Sequence, residues 1–297
     1  MATPASSSPP VGPDRILADA PYRIGAVTLV VRDRDGLTRF YRDILGLRIL
    51  AEADGTVRLG TGDATLLVLR HDPDARPRAP HEAGLFHTAF LLPGRGDLGA
   101  WLLHAESHRI ALTGGADHLV SEAVYLDDPE GNGIEIYVDR PASAWQRASD
   151  GSVVMRNERL DHAGLVGAAT RPWSGMPAAG CVGHVHLQVG DLHEAERFYA
   201  RLLGFDVMCR YPGALFLGAG GYHHQLAGNV WNSRGAAMRA EGTTGLAEVV
   251  LLTDELTLAA ARIRCREAGV TIRTDGDALV VRDPWGTHLR LKPPPGP

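Results

Sequence analysis

The chain has 297 residues, 44% hydrophobic and 22% charged, with a formal net charge of -5. That length accommodates two domains, and the mildly acidic balance excludes the basic face that nucleic-acid binding requires. Its longest apolar runs, such as 247–252, are too short to cross a bilayer, and its three cysteines, Cys181, Cys209 and Cys265, lack the spacing of a disulfide framework or thiolate zinc site.

The N-terminus, MATPASSSPPVGPD, has no basic or apolar region of the signal-peptide kind, so residues 1–20 are expected to form a disordered tail on a cytoplasmic protein. Val27–Val31 alternates as a strand does. A helix is predicted between Asp33 and Gly46: Asp is a good N-cap, Leu37, Phe40, Tyr41, Ile44 and Leu45 keep the helical rhythm, and Gly suits the position after the last turn. A second strand-then-helix pair follows at Phe86–Leu91 and Asp97–Glu106. Asp128-Pro129-Glu130-Gly131 is a turn in which Pro presets φ and Gly supplies a positive one, leading into the strand Ile134–Tyr137. Residues 141–180, rich in Ala, Gly, Pro, Ser and Arg, read as a linker.

Beyond it the pattern returns. Val185–Val189 is a strand, and Asp191, Phe198, Tyr199 and Gly204 repeat the spacing of Asp33, Phe40, Tyr41 and Gly46 without a gap. Ala247–Leu252 and Leu256–Glu267 form the fourth strand-helix pair, and Asp283-Pro284-Trp285-Gly286 repeats the turn before Leu289–Leu291. Such internal repetition defines the architecture: four modules, near 22–78, 83–140, 181–232 and 243–293, each a strand, a helix and about three strands.

Chemistry concentrates in modules two and three. Module two offers His87 in its first strand and Glu135 in its last; module three offers His184 and His186, which share a strand face. Two imidazoles and one carboxylate around a common cavity make a facial triad with open positions. The plain alternatives are a Glu135 paired with an arginine and histidines buried as ordinary core.

This arrangement resembles the vicinal-oxygen-chelate superfamily, which comprises glyoxalase I, fosfomycin and bleomycin resistance proteins, and extradiol dioxygenases. The resemblance implies an α+β fold of four βαβββ modules pairing into two curved mixed sheets, with domains at 21–140 and 181–297. It implies a metal held by His87, Glu135 and, by the match of Gly183-His184-Val185, His184 in preference to His186. Module one has Ala26 where His184 stands, and module four has Ala247 and Arg290 where His87 and Glu135 stand. Only modules two and three together complete the triad, so they are expected to pair across the linker.

Further matches narrow the resemblance to a catechol 2,3-dioxygenase-like subgroup. Tyr222-His223-His224-Gln225-Leu226-Ala227 resembles the paired histidines of extradiol enzymes, in which the second, here His224, is the acid–base residue. His118 and Tyr125 match the residues flanking the substrate hydroxyl. The implied activity is extradiol cleavage of a catechol-type aromatic diol with dioxygen. Fe(II) is the expected metal, with Mn(II) or another divalent ion as alternatives. Alternative activities are a glyoxalase-like metal-dependent isomerase or lyase, and a resistance-type binding protein. No nucleic-acid or membrane partner is expected, and exposed module edges are compatible with a homodimer.

Overall fold

The computed structural model describes residues 15–294. Of the stretch expected to be a tail, residues 1–14 lie outside the described range. Arg15–Ala18 forms a short helix, α1, and Leu17 is buried.

Each module has the anticipated order. Module one runs β1 (Tyr22–Val31), α2 (Arg34–Asp43), β2 (Arg48–Ala53), β3 (Thr56–Thr61) and β4 (Ala64–His71). Module two is β5 (Gly84–Leu91), α3 (Arg95–Ser107), β6 (Gly114–Asp117), β7 (Ser121–Asp127) and β8 (Gly133–Asp139). The linker carries a 3-10 turn at Ala142–Ala144 and a short helix, α4 (His162–Gly167). Module three is β9 (Cys181–Gln188), α5 (Leu192–Ala195) continuing as a π-helical stretch over Glu196–Leu203, then β10 (Asp206–Tyr211), β11 (Ala214–Gly218) and β12 (Leu226–Asn229). Module four is β13 (Gly245–Thr253), α6 (Glu255–Glu267), β14 (Ile272–Asp275), β15 (Ala278–Arg282) and β16 (His288–Lys292).

Side-chain caps start the helices where the sequence places Asp. Asp33 accepts from the Gly36 N–H, Asp191 from Glu194 and Asp254 from Thr257, at 2.8–2.9 Å. Each satisfies a backbone donor that the helix leaves open, worth about 1 kcal/mol. Within every module the first and last strands pair in parallel, and the remaining pairings are antiparallel.

The modules assemble into two curved eight-stranded mixed sheets. One runs β14-β15-β16-β13-β1-β4-β3-β2, the other β10-β11-β12-β9-β5-β8-β7-β6. Modules one and four therefore join through β1 and β13, and modules two and three through β5 and β9, both antiparallel. This is the pairing across the linker that the distribution of His and Glu anticipated. Each sheet draws one module from either side of the linker.

Sequential modules are tied in a second way. The Tyr41 hydroxyl of α2 donates to Asp128 in the turn of module two, at 2.9 Å. Tyr199 donates to Asp283 in the turn of module four, at 2.6 Å. Both turns have the expected form, with positive φ at Gly131 (78°) and Gly286 (98°). A continuous core of Leu, Ile, Val and aromatic side chains, Trp101 and Tyr41 among them, fills the space between helices and sheets. A smaller cluster around Tyr137, Trp145, Val153, Met208 and Tyr222 backs the site described next.

Candidate metal centre and its cavity

The antiparallel seam of β5 and β9 positions the candidate donors. Ala89 of β5 is paired with Glu135 of β8 on one side and His184 of β9 on the other. His87 lies two residues before Ala89, on the same strand face. The small Ala89 side chain leaves room for the longer side chains beside it to converge. His87 Nε2 lies 2.9 Å from Glu135 Oε2, His184 Nε2 lies 3.3 Å from the same oxygen, and the two nitrogens are 3.3 Å apart. All three residues are buried.

Burial raises the Glu135 carboxyl, but His184 and His87 outweigh it and hold the group well below the usual carboxylate range. Burial pulls the His184 imidazole down to about 4. An anionic carboxylate and a neutral imidazole are the forms that coordinate a cation. The donor atoms of His87, Glu135 and His184 all lie within 4.8 Å of one another. His184 Nδ1 is buried without a hydrogen-bond partner among the described residues, so the polar neighbours of this ring lie at its Nε2 edge. Two imidazole nitrogens and one carboxylate oxygen, with a cavity alongside, fit a divalent metal.

His186 points elsewhere in the same cavity. Its Nε2 accepts from the Asn229 amide at 3.0 Å, and its ring packs against Phe86, Phe216 and Trp231. It is buried and held well below the ordinary histidine value by burial, but it stands outside the three-donor group.

The other predicted residues gather around this centre. The ring of His224 sits 4.1 Å from that of His184, centroid to centroid, and burial depresses its basicity strongly. His223 is fully buried between Tyr222 and Trp145, its Nε2 2.8 Å from Asp139 and its Nδ1 2.7 Å from His224 Nδ1. Tyr125 is paired in register with Glu135 and its hydroxyl lies 2.6 Å from His118 Nε2. Burial, then Glu135, raises the Tyr125 phenol well above its ordinary value. His118 precedes a tight turn in which Leu119 has φ 68°, an uncommon conformation for a side chain of that size. Its Nδ1 lies 3.2 Å from the Arg156 carbonyl oxygen.

His87, His118, Tyr125, Glu135, His184, His186 and His224 line a cavity of about 710 Å³, with His223 buried behind His224. Its wall also includes residues that the sequence reading did not single out. Phe86, Phe216 and Trp231 supply aromatic surface, and the linker contributes 155–159 along one side. The linker is held there by backbone bonds between Asp117 and Glu158 in both directions. Asp139 and Tyr137 were also missed, although a signal existed: Glu135, Tyr137 and Asp139 stand at alternate positions of one strand and share a face. Gly183 lets Tyr137 approach β9 closely, since a Cβ there would collide with the Tyr137 hydroxyl. In the other sheet Arg290 pairs with Glu248 and Asp275, and Ala26 and Ala247 provide no donor, so the corresponding positions are an ion pair and packing.

The sequence matches the Glyoxalase/Bleomycin resistance protein/Dioxygenase superfamily over residues 23–136 and 182–291. It is 39% identical over 269 residues to a Bacillus subtilis (strain 168) protein named catechol-2,3-dioxygenase, covering 88% of this chain and 93% of that one. The chain belongs to this superfamily. A biphenyl-2,3-diol 1,2-dioxygenase 3 from Rhodococcus globerulus is 29% identical over 124 residues, 41% of this chain and 65% of its own length. Among solved structures, superfamily architecture is shared with glyoxalase I from Zea mays, at TM-score 0.56 and 17% identity over 94% of this chain and 95% of that one. The cppA protein from Streptococcus pneumoniae superposes at TM-score 0.54 and 13% identity, covering 93% and 99%. The four-module α+β reading thus holds for this superfamily member. Among the described residues, no helix is long and apolar enough to cross a membrane.

Proposed function

We propose that this protein is an extradiol ring-cleavage dioxygenase acting on a catechol-type aromatic diol. The observation that carries the reading is the buried group of His87, His184 and Glu135, which opens on one cavity beside His224 and Tyr125. The 39% identity to a protein named catechol-2,3-dioxygenase supports it over most of the chain. In this reading His87, His184 and Glu135 hold an iron(II) ion, which when bound supplies Lewis acidity and dioxygen chemistry.

The chain's own residues bind and steer the diol. Phe86, Phe216 and Trp231 provide the apolar surface for a ring. His224, neutral in its buried setting, takes a hydroxyl proton from the substrate and returns it to the product. The Tyr125 hydroxyl, braced by His118, orients the substrate oxygen beside Glu135. His186, restrained by Asn229, shapes the wall. The setting we propose is cytoplasmic.

Metal analysis of anaerobically purified protein, followed by oxygen uptake on adding catechol and 4-substituted catechols, tests this. Near-stoichiometric iron, oxygen consumption and a yellow ring-cleavage product are expected. Metal-dependent turnover of another substrate under argon, with no oxygen uptake on any diol, would move the protein to the isomerase or lyase branch of the superfamily.

A further inference from the structure

Behind the cavity lies a run of hydrogen bonds that the acid–base reading of His224 does not use. Asp139, at the end of β8, receives the Tyr222 hydroxyl on Oδ2 at 2.8 Å and faces His223 Nε2 through Oδ1 at 2.8 Å. Tyr137 and Tyr222 share a further bond between their hydroxyls at 2.8 Å. His223 then meets His224 nitrogen to nitrogen, Nδ1 to Nδ1, at 2.7 Å. The ring of His224 lines the cavity, and its Nε2 has no hydrogen-bond partner among the described residues.

The direction of each bond follows from what each atom can do. An ionised carboxylate only accepts, so His223 Nε2 carries the hydrogen that Asp139 receives. In a neutral imidazole the other nitrogen is then an acceptor, so His223 Nδ1 has a lone pair and no hydrogen. A contact of 2.7 Å between two ring nitrogens needs one hydrogen between them, and with His223 neutral it is His224 Nδ1 that provides it. His224 Nε2 is left with its lone pair, on a ring that lines the cavity.

We propose that Asp139, acting through His223, is a positioning residue that sets the tautomer of His224, keeping its Nε2 free to accept a proton from bound substrate. Tyr222 holds the carboxylate and Tyr137 braces Tyr222, and the complete burial of His223 between Tyr222 and Trp145 keeps water from competing for its nitrogens. A proton accepted at His224 Nε2 is matched by passage of the Nδ1 hydrogen to His223 Nδ1. The positive charge then rests on His223, against the Asp139 carboxylate, and returns by the same route. No residue next to His184 has to retain it. Asp139 and His223 come from modules two and three, so the chain crosses the same seam as the metal donors.

The catalytic part of this inference rests on the dioxygenase reading, whereas the tautomer does not, and the two are measured separately. Long-range proton–nitrogen correlation spectra of histidine-labelled protein, metal-free and zinc-loaded, report the hydrogen position on each ring, with His224 assigned by its loss in His224→Gln. The expected spectrum has His224 protonated at Nδ1 and bare at Nε2. Asp139→Ala should shift His224 toward the opposite tautomer, while Tyr222→Phe, which leaves the Asp139–His223 bond in place, should not. In the iron enzyme, Asp139→Ala should lower kcat at least about tenfold with KM for catechol changed less than about twofold. Asp139→Leu, similar in size and unable to accept a hydrogen bond, repeats the comparison should the alanine variant fail to fold. A wild-type His224 protonated at Nε2, or a tautomer indifferent to both Asp139 variants, overturns the proposal. If no diol supports oxygen uptake while the tautomer behaves as described, the dioxygenase reading fails and the positioning of His224 stands.

Discussion

The ring of His224 lies over that of His184, their centroids 4.1 Å apart and their planes inclined at 48°. Residues this far apart in the chain meet because β12 runs parallel beside β9, and the Val185 N–H donates to the Gln225 carbonyl at 3.0 Å. This tilted contact places the ring we propose as proton acceptor directly beside a candidate metal-binding one, and the two rings should fail differently when removed.

His184→Ala should abolish stoichiometric metal binding and oxygen uptake together, because it removes one of three donors. His224→Gln should retain the metal and lower kcat about a hundredfold, the usual effect of losing a general acid–base group. Metal content and oxygen uptake measured on the same preparations check this. Loss of metal in His224→Gln would mean that packing against His184, not proton transfer, is its contribution.

His186→Ala separates the two histidines of β9. The bond from Asn229 already occupies the Nε2 of His186, so the variant should keep its metal content and raise KM for aromatic diols by enlarging the cavity wall. A metal-free His186→Ala would show that the donor group differs from the one seen in the fold.

The choice between His184 and His186 shows where sequence reading ends. The repeated Asp-Phe-Tyr-Gly spacing and the paired Asp-Pro-x-Gly turns made four modules legible, and the missing donors in modules one and four pointed to the seam between two and three. Which histidine meets Glu135 depends on the β5–β9 register, which shifts between Leu85 and His87 and again between Ala89 and Phe90. Irregularities of that kind arise from three-dimensional packing, and periodicity does not carry them. The residues 155–159 were hidden for a related reason: they read as linker by composition and acquire their place by bonding to the edge at Asp117 and His118. Asp139 was the opposite case, visible by alternation from Glu135 but without meaning until His223 was beside it.

Acid should destabilise the metal-free protein between about pH 6.5 and 4. Burial takes His184 from 6.5 to about 4 in the folded state, so across that interval the unfolded chain binds a proton that the folded chain does not. Stability from this group is fully present above 6.5 and is lost as pH falls toward 4, on the order of 3 kcal/mol in all. His186 and His224 are depressed by burial as well and act in the same direction. The depressed Glu135 carboxyl keeps its own contribution at pH 5 and above and begins to lose it near the ordinary value of 4.5, at the acid end of this window. Urea unfolding of metal-free protein at pH 7 and pH 5 checks the sign. A midpoint that is unchanged or higher at pH 5 would contradict it.

The two tyrosine–aspartate ties predict a stability effect separable from chemistry. Tyr41 and Tyr199 are buried, and each donates to a buried carboxylate, Asp128 or Asp283, in the turn of the following module. Tyr41→Phe removes one bond to Asp128, which keeps those from Glu130 and Asn132; Tyr199→Phe leaves Asp283 those from Trp285 and Thr287. With the carboxylates still partly satisfied, each substitution should cost about 1 to 2 kcal/mol. The ties share no partner, so the double variant should be additive to within about 0.5 kcal/mol. Neither tyrosine lines the cavity, and oxygen uptake per folded molecule should match the parent well below the unfolding transition. Loss of turnover with the fold intact would mean that these ties transmit to the β5–β9 seam, and the modules could then no longer be treated as a scaffold independent of the site they build.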